Sequence, residues 1–321
     1  MLANVLVPLD GSSLAEAALP TAISLVRRKH GHVELVIVHE NVPYEWEGYE
    51  DGPWHSMDES TQVRYIHDKA EQLSSARDLT VGHALRRGDV ADQICARDAE
   101  VGADMIVMGT HGRTGLARMI VGSVADAVVR RATIPVLLLR SSGGASSARA
   151  LPLPFRRILV PVDDSPRSRA IFDAVAAVAE RGVTELILLR VVAPVPSVTD
   201  AKFSYGYTSG PLDDIATRHL VSAADHELTG AAVDLGERTL CDVGPHVIVA
   251  KHAAPAIVRF ARQYGADLIA MTTYGRGASR LAMGSVSARV VHDAGLPVLL
   301  ARPRTNMAPN MAPNMAPHMA H

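Results

Sequence analysis

The segment NVLVPLDGS (residues 4–12) returns as RILVPVDDS (residues 157–165), and this recurrence decides the fold. Three further matches follow in the same order: VELVIVHE (33–40) with TELILLRV (184–191), GADMIVMGTHG (102–112) with GADLIAMTTYG (265–275), and IPVLLLR (134–140) with LPVLLAR (296–302). A repeat of about 150 residues has the length of one domain, unlike the short units of solenoid proteins. The chain is therefore predicted to be one domain written twice.

Composition marks the boundaries of the two copies. The stretch SSGGASSARALPLPF (141–155) is rich in Ser, Gly, Ala and Pro and has no periodicity, which is typical of a linker. The C-terminal tail repeats the tetrapeptide NMAP, whose prolines remove a backbone donor at every fourth residue. We therefore expect a first domain at 1–141, a linker at 142–155, a second domain at 156–303 and a disordered tail at 304–321.

The overall composition excludes several classes of protein. Of the 321 residues, 48% are apolar and 21% charged, as in ordinary soluble globular proteins. A net charge of −2 argues against nucleic-acid binding by bulk electrostatics, and the chain has no apolar run of membrane-spanning length and no signal-peptide pattern. Two cysteines, Cys95 and Cys241, are too few for a disulfide framework, and the histidines show no metal-ligand spacing. We expect a cytoplasmic protein without a metal site.

Continuous apolar runs alternate with helical patterns in each half. The runs VLVPL, LVIV, MIVM and VLLL of the first half suit strands that are covered on both faces, as in a parallel sheet. Amphipathic stretches lie between them at 12–31, 60–77 and 90–102, and Pro20 is expected to bend the first. The pattern predicts an α/β fold of two tandem doubly wound domains, each an open parallel sheet flanked by helices. Ligands of such sheets bind beyond the carboxyl ends of the strands.

Glycines follow one of these predicted strands. The run MIVM (105–108) leads into Gly109 and Gly112. Glycine can take positive φ and lets a backbone approach a ligand closely. This end of the strand is therefore a candidate ligand site.

A second glycine opens the next helix. Gly122 and Ser123 precede helix amides that have no partner inside the helix, and these amides and the helix dipole attract phosphate. The Ser123 hydroxyl adds a donor, and Arg113 and Arg118 are long enough to reach phosphate oxygens. The stretch is therefore predicted to hold a phosphate chain.

The pattern Gly-x2-Gly-x9-Gly-Ser, with VPLDGS at the start of the unit and IPVLLLR at its end, resembles the universal stress protein family. The resemblance covers nearly the whole chain, as two tandem copies. It implies an adenine nucleotide alpha hydrolase-like fold with an open parallel five-stranded sheet in each copy, ATP as the ligand and a role in the stress response. By that resemblance Pro8, Leu9 and Asp10 line the base and ribose, and Glu40 contacts adenine through its backbone. The ribose and phosphates are then held by Met108, Gly109, His111, Gly112, Gly122, Ser123 and Val124.

A carboxylate beside a triphosphate requires an explanation. Asp10 either faces the ribose hydroxyls or a bridging Mg²⁺, or it caps the helix that follows, because Asp-Gly-Ser is also ordinary turn chemistry. Its recurrence as Asp163 in the second copy favours the ligand.

The second copy departs from the pattern. Thr272 stands in place of Gly109 and Tyr274 in place of His111, and eight residues rather than nine separate Gly275 from the next glycine. A β-branched Thr tolerates positive φ poorly. We expect the second half to bind nucleotide more weakly than the first, or not at all. Its candidate site consists of Pro161, Val162, Asp163, Val191, Gly275, Gly284, Ser285 and Val286.

The sequence contains no convincing catalytic set, because neither a nucleophile-His-acid constellation nor a P-loop is present. We expect an ATP-binding regulator whose occupancy biases conformation or assembly, with slow ATP hydrolysis at most. One alternative is an ATPase or adenylyl-transferring enzyme in which His111 and the arginines act on phosphates. Another is an interaction scaffold that holds no nucleotide.

The last apolar strand of each half is expected to lie at a sheet edge. Such edges invite pairing, so 134–140 and 296–302 are predicted to pair within one chain about a pseudo-twofold axis. We also expect a homodimer of tandem chains. The sequence does not identify a protein partner.

Overall fold

The computed structural model describes residues 2–27, 31–40, 58–75, 79–110, 122–140, 153–196, 214–273 and 283–303. The elements of the first half are β1 (Asn4–Leu9), α1 (Ser13–Glu16), α2 (Leu19–Arg27), β2 (His32–His39), α3 (Glu59–Ser74), β3 (Thr80–Arg87), α4 (Val90–Val101), β4 (Met105–Gly109), α5 (Ser123–Arg131) and β5 (Val136–Leu139). Those of the second half are β6 (Arg157–Pro161), a 3-10 helix (Pro166–Ile171), α6 (Phe172–Val178), β7 (Glu185–Val192), α7 (Asp214–Thr239), β8 (Asp242–Val249), α8 (Ala253–Gln263), β9 (Leu268–Thr272), α9 (Ser285–Asp293) and β10 (Val298–Ala301).

The strands form one ten-stranded sheet in the order β3-β2-β1-β4-β5-β10-β9-β6-β7-β8. Within each half all neighbouring strands are parallel, so each half is the five-stranded, doubly wound parallel sheet that the sequence predicts. The strand order reverses between β1 and β4 in the first half and between β6 and β9 in the second. These are the switch points at which such sheets bind ligands.

The two halves meet where β5 and β10 pair antiparallel. Leu137 lies opposite Leu299 in the centre of this pairing, and both side chains are fully buried. The pairing that the sequence predicts for the two last strands is therefore observed. It removes two apolar edges from solvent, as expected for strands that would otherwise invite association.

Apolar side chains form a core on each face of the sheet. Alternate residues of β1 show the division, since Val5 and Val7 belong to one core while Leu6 belongs to the other. Both cores run through both halves of the chain. Burial on both faces explains why the central strands read as continuous apolar runs.

The repeated Gly-Ala-Asp segment has a structural role. Gly102 ends α4 in the left-handed conformation at φ 60°, and Gly265 does the same after α8 at φ 62°. Two residues further on, Asp104 Oδ2 accepts hydrogen bonds from the backbone amides of Ala3 and Asn4, at 2.6 and 2.9 Å. Asp267 holds the amides at 156 and 157 in the same way. The segment thus stops a helix and fixes the start of the first strand.

Candidate functional site

A tight turn follows the first strand of each half. Asp10 Oδ1 accepts hydrogen bonds from the amide and hydroxyl of Ser12, at 2.9 and 2.6 Å. Asp163 Oδ1 makes the same two bonds with Ser165, at the same distances. Turn chemistry therefore occupies one oxygen of each carboxylate. The other oxygen of Asp163 has no hydrogen-bond partner within the described ranges, and it remains available to a ligand.

The start of α5 and the start of α9 have matching geometry. Gly122 has φ −54° and ψ 146°, Gly284 has φ −60° and ψ 148°, and neither supplies a side-chain cap. Their amides donate to the carbonyl oxygens of Thr110 and Thr273, both at 2.6 Å. These bonds tie each helix start to the end of the preceding strand. The uncapped amides of the first turn then face the carboxyl edge of the sheet, as an anion-binding helix terminus requires.

The structure corrects the reason given for the glycine at 109. Gly109 is the last residue of β4, and Thr272 is the last residue of β9, so both are extended and neither needs positive φ. The backbone therefore accepts threonine here, contrary to the expectation from the sequence. The difference between the halves at this position is the volume of the threonine side chain.

The predicted residues of the first half lie at one end of the sheet. Pro8 and Leu9 end β1, Met108 and Gly109 end β4, and Asp10 begins the turn after β1. The start of α5 adds Gly122, Ser123 and Val124. Glu40 follows β2 directly and is exposed. His111, Gly112 and Arg113 lie outside the described residues.

A cavity of about 700 Å³ lies at the matching place in the second half. It is bounded by the carboxyl ends of β6, β7 and β9, by α7 and α8, and by the start of α9. Seven residues of the predicted second site line it, namely Pro161, Val162, Asp163, Val191, Gly284, Ser285 and Val286. The eighth, Gly275, lies outside the described residues. The volume is that of pockets that hold small molecules.

The register of the sheet changes one match between the halves. Pro8 pairs with Val36, and the equivalent Pro161 pairs with Leu189. Counting from these pairs, Arg190 takes the place of Ile37. The sequence match of 33–40 with 184–191 is therefore displaced by two residues, and Val191 lies level with Val38 rather than with Glu40.

Sequence reasoning missed a charged pair in the cavity wall. Arg190 is 6% exposed, and its Nη2 donates to Oε2 of Glu227 on α7 at 2.9 Å. Its Nε is buried and has no hydrogen-bond partner in the described part of the chain. A basic residue inside the apolar run LILLRVV was a visible signal for Arg190. Nothing in the helical pattern of α7 distinguishes Glu227 from other exposed acids.

Three hydroxyl residues that were not predicted also line the cavity, namely Ser168, Thr272 and Ser287. Thr272 is buried at the end of β9. Ser287 Oγ lies 2.6 Å from the carbonyl oxygen of Thr273 and donates to it, so this hydroxyl supports the start of α9 rather than facing a ligand. Ala125 holds the equivalent place in the first half, where the helix starts without this bond.

Neither cysteine is an activated thiol. Burial and the nearby Asp98 carboxylate raise the pKa of Cys95 to about 11. Burial also raises the pKa of Cys241. Among the residues that the structure describes, no three His, Cys, Asp or Glu side chains come together as metal ligands. None of the described helices is long and apolar enough to span a bilayer.

Comparison with known proteins identifies the family. The family model described as the universal stress protein family matches residues 1–140 and 154–302. A universal stress protein of Mycolicibacterium smegmatis is 27% identical over 94% of this chain and 97% of its own length. Universal stress protein Rv2623 of Mycobacterium tuberculosis is 34% identical, over 44% of this chain and 46% of its own length.

The fold comparison agrees. The crystal structure of a universal stress protein from Archaeoglobus fulgidus matches with a TM-score of 0.62 at 18% identity, covering 94% of this chain and 96% of that one. Because the family model matches both halves in turn, the chain belongs to the universal stress protein family, as a tandem member with two copies of the domain.

Proposed function

We propose that the protein is a nucleotide-binding regulator of the stress response and that ATP is its ligand. One observation carries this proposal: in each half, the uncapped start of a helix is hydrogen-bonded to the end of the preceding parallel strand, at Gly122 in the first half and at Gly284 in the second. In the second half this junction opens into the cavity of about 700 Å³. Helix amides of this kind suit the phosphates of a nucleotide.

The remaining walls of the cavity suit a base and a sugar. Val162, Leu189 and Ile257 give it apolar sides, against which a flat ring can pack. The unpartnered oxygen of Asp163 suits a ribose hydroxyl or a Mg²⁺ ion bridging to phosphate. The equivalent strand end of the first half carries Pro8, Leu9 and Asp10, and we propose that a nucleotide binds against it.

The halves are proposed to differ in their affinity for ATP. In the second half Thr272 fills space that Gly109 leaves open in the first. The described wall of the second cavity also carries three carboxylates, Asp163, Asp164 and Glu227, against one guanidinium, that of Arg190. The volume of Thr272 and this balance of charges both disfavour a triphosphate in the second half. The first half is therefore the proposed high-affinity ATP site.

The joint between the halves gives occupancy a means of control. Each helix start is held to the strand end that precedes it, and all ten strands belong to one sheet. A ligand that binds one arrangement of a helix start more tightly than another will shift the population of that arrangement. We propose that ATP binding biases conformation or assembly in this way, including a homodimer of the tandem chain.

The test begins with the full chain purified without added nucleotide. The protein is denatured and the released small molecules are identified by mass spectrometry, for the wild type, Gly122→Glu and Gly284→Glu. A carboxylate at either helix start repels phosphate. We expect ATP or ADP from the wild type and from Gly284→Glu, and little from Gly122→Glu.

A titration with Mg-ATP completes the test, with light scattering to follow the mass of the particle and phosphate release to follow hydrolysis. A change in mass with ATP supports control of assembly. Absence of any bound nucleotide, with no binding in the titration, would overturn the proposal and leave a nucleotide-free scaffold.

A further inference from the structure

We propose that the cavity of the second half prefers a 6-oxopurine nucleotide, carrying guanine or hypoxanthine, over an adenine nucleotide, and that Arg190 and Glu227 select the base. The inference rests on the proposed function insofar as the second cavity takes a nucleotide. It goes further because it assigns a different base to the second half.

Arg190 lies in the cavity wall with one donor that is unpaired among the described residues. Its guanidinium carries a permanent charge and five N–H donors. The residue is 6% exposed and lines the cavity, yet its Nε has no acceptor within the described ranges. A buried donor on a charged group is costly when unpaired. Because the Nε atom is itself enclosed, a ligand in the cavity would accept from the N–H groups at the far end of the guanidinium and so offset part of this cost.

Glu227 supplies a hydrogen-bond acceptor beside Arg190. Glu227 binds Nη2 of Arg190 through Oε2 at 2.9 Å and is about half-exposed, with 54% of its side chain accessible. Its second oxygen accepts no hydrogen bond from the part of the chain that the structure describes. The cavity wall therefore presents a donor and an acceptor side by side.

The purine bases differ in the donors and acceptors that they would present to this pair. A 6-oxopurine has acceptors at O6 and N7 and a donor at N1, so its O6 can accept from Arg190 while N1–H donates to Glu227. In a second orientation, the O6/N7 edge of the same base offers Arg190 two acceptors. Adenine carries an amino group at C6, so the N6/N7 edge confronts the guanidinium with a donor. Arginine therefore favours the 6-oxopurine, and the carboxylate adds a partner for N1–H.

The first half has an apolar residue at the position of Arg190. Ile37, level with Arg190 in the sheet register, is apolar and buried, so it cannot read a base by hydrogen bonding. The two halves share the helix start and the aspartate turn, but only the second has this charged pair at that position. Duplication has thus kept the uncapped helix start and the aspartate turn alike, and has left the base end different.

The test measures the affinity for GMP, IMP and AMP by isothermal titration calorimetry, in a full chain that carries Gly122→Glu so that the proposed first site is closed. The variant Arg190→Ile places the first-half residue in the second half, Arg190→Lys keeps the charge, and Glu227→Gln keeps the size of the acceptor residue. In this background we expect the second half to bind GMP and IMP at least about tenfold more tightly than AMP, and Arg190→Ile to lose about tenfold or more for GMP and IMP only. Arg190→Lys and Glu227→Gln should each lower the affinity for GMP and IMP by less than Arg190→Ile does.

Gly284→Glu serves as the matched control because it disturbs the phosphate end and leaves the base-reading pair in place. It should weaken GMP and AMP alike. With Gly122 intact, ATP binding by the first half should survive Arg190→Ile. Equal affinity of the Gly122→Glu chain for GMP and AMP, or unchanged GMP affinity after Arg190→Ile in that chain, would overturn the inference while leaving the proposed function intact. Failure of the chain to bind any nucleotide would overturn both.

Discussion

Arg140 and Arg302 each cross the joint between the two halves and hold the end of the opposite helix. Arg140 Nη1 donates to the carbonyl oxygen of His292 at 2.5 Å, and Arg302 Nη1 donates to that of Arg130 at 2.9 Å. The two arginines follow β5 and β10, and their acceptors are equivalent residues near the ends of α9 and α5. A guanidinium at a helix C-terminus is favoured by the helix dipole. The pseudo-twofold symmetry of the chain is therefore built into polar contacts as well as into the strand pairing.

Removing one of these arginines should loosen the joint. Arg140→Ala is expected to lower the free energy of unfolding by about 0.5–2 kcal/mol, because a charge-assisted bond to a helix end is lost. Urea unfolding of the full chain measures the change. Arg289→Ala is the control, since Arg289 is exposed and its ion pair in the described part of the chain is with Asp293 of its own helix. A larger loss from Arg289→Ala than from Arg140→Ala would contradict the account of the joint.

Glycine 82 is required by a buried ion pair in the first half. A Cβ atom at Gly82 would overlap Oε2 of Glu34, which is 2% exposed and held by His32 and Arg97. Alanine at 82 must displace this carboxylate from its partners, and we expect a loss of about 1–3 kcal/mol.

The equivalent glycine of the second half supplies the control. A Cβ atom at Gly244 would lie 3.5 Å from His246, an ordinary contact. Gly244→Ala should be neutral or stabilise by about 0.5 kcal/mol, because a strand favours alanine over glycine. Chemical unfolding of the two variants tests the pair, and equal effects at both positions would refute the role of Glu34.

Asp98 should make stability depend on pH. Burial raises the pKa of this carboxyl from 3.8 to about 6, so the folded state binds the proton more tightly than the unfolded state. The free energy of unfolding therefore falls as the pH rises from about 4 to about 6. Above that range it stays lower by a constant amount. Asp98→Asn should stabilise the protein at pH 7 by up to about 3 kcal/mol and have little effect at pH 4.

Thermal unfolding across this pH range measures the effect of Asp98→Asn. Asp225→Asn, at an exposed position of α7, should change the stability little at either pH. A stabilisation by Asp98→Asn that is equal at pH 4 and pH 7 would show that the effect does not come from titration.

The central strands could be predicted from sequence because they are buried on both faces, as in the fully buried β5. The edge strands β3 and β8 were not located by the same signal, since their residues are exposed or only partly buried and charged residues occur in both, at Arg86, Arg87 and Asp242. The helix expected at 12–31 is divided into α1 and α2. Pro20 lies at the second position of α2, where its missing N–H costs nothing.

The candidate site was predictable in its backbone and not in its side-chain partners. Gly284 and Asp163 recur at fixed places in the repeat, so a comparison of the halves finds them. The pair of Arg190 and Glu227 joins a strand to a helix 37 residues further along the chain, and no local pattern connects such positions. The two-residue displacement of the strand match arose because strand register depends on packing against neighbours, which the repeat alone does not show.

Thr272 provides a direct test of the difference between the halves. Thr272→Gly removes a buried side chain from the cavity wall and restores the residue found at 109. We expect the affinity of the second half for Mg-ATP to rise about three- to tenfold, which corresponds to about 1 kcal/mol. The measurement is made in the Gly122→Glu background, where the proposed first site is closed. The reverse change, Gly109→Thr, should weaken ATP binding by a similar factor in a chain that carries Gly284→Glu. If neither exchange changes the affinity, side-chain volume at this strand end does not set the difference, and the surplus of carboxylates in the second cavity becomes the remaining cause.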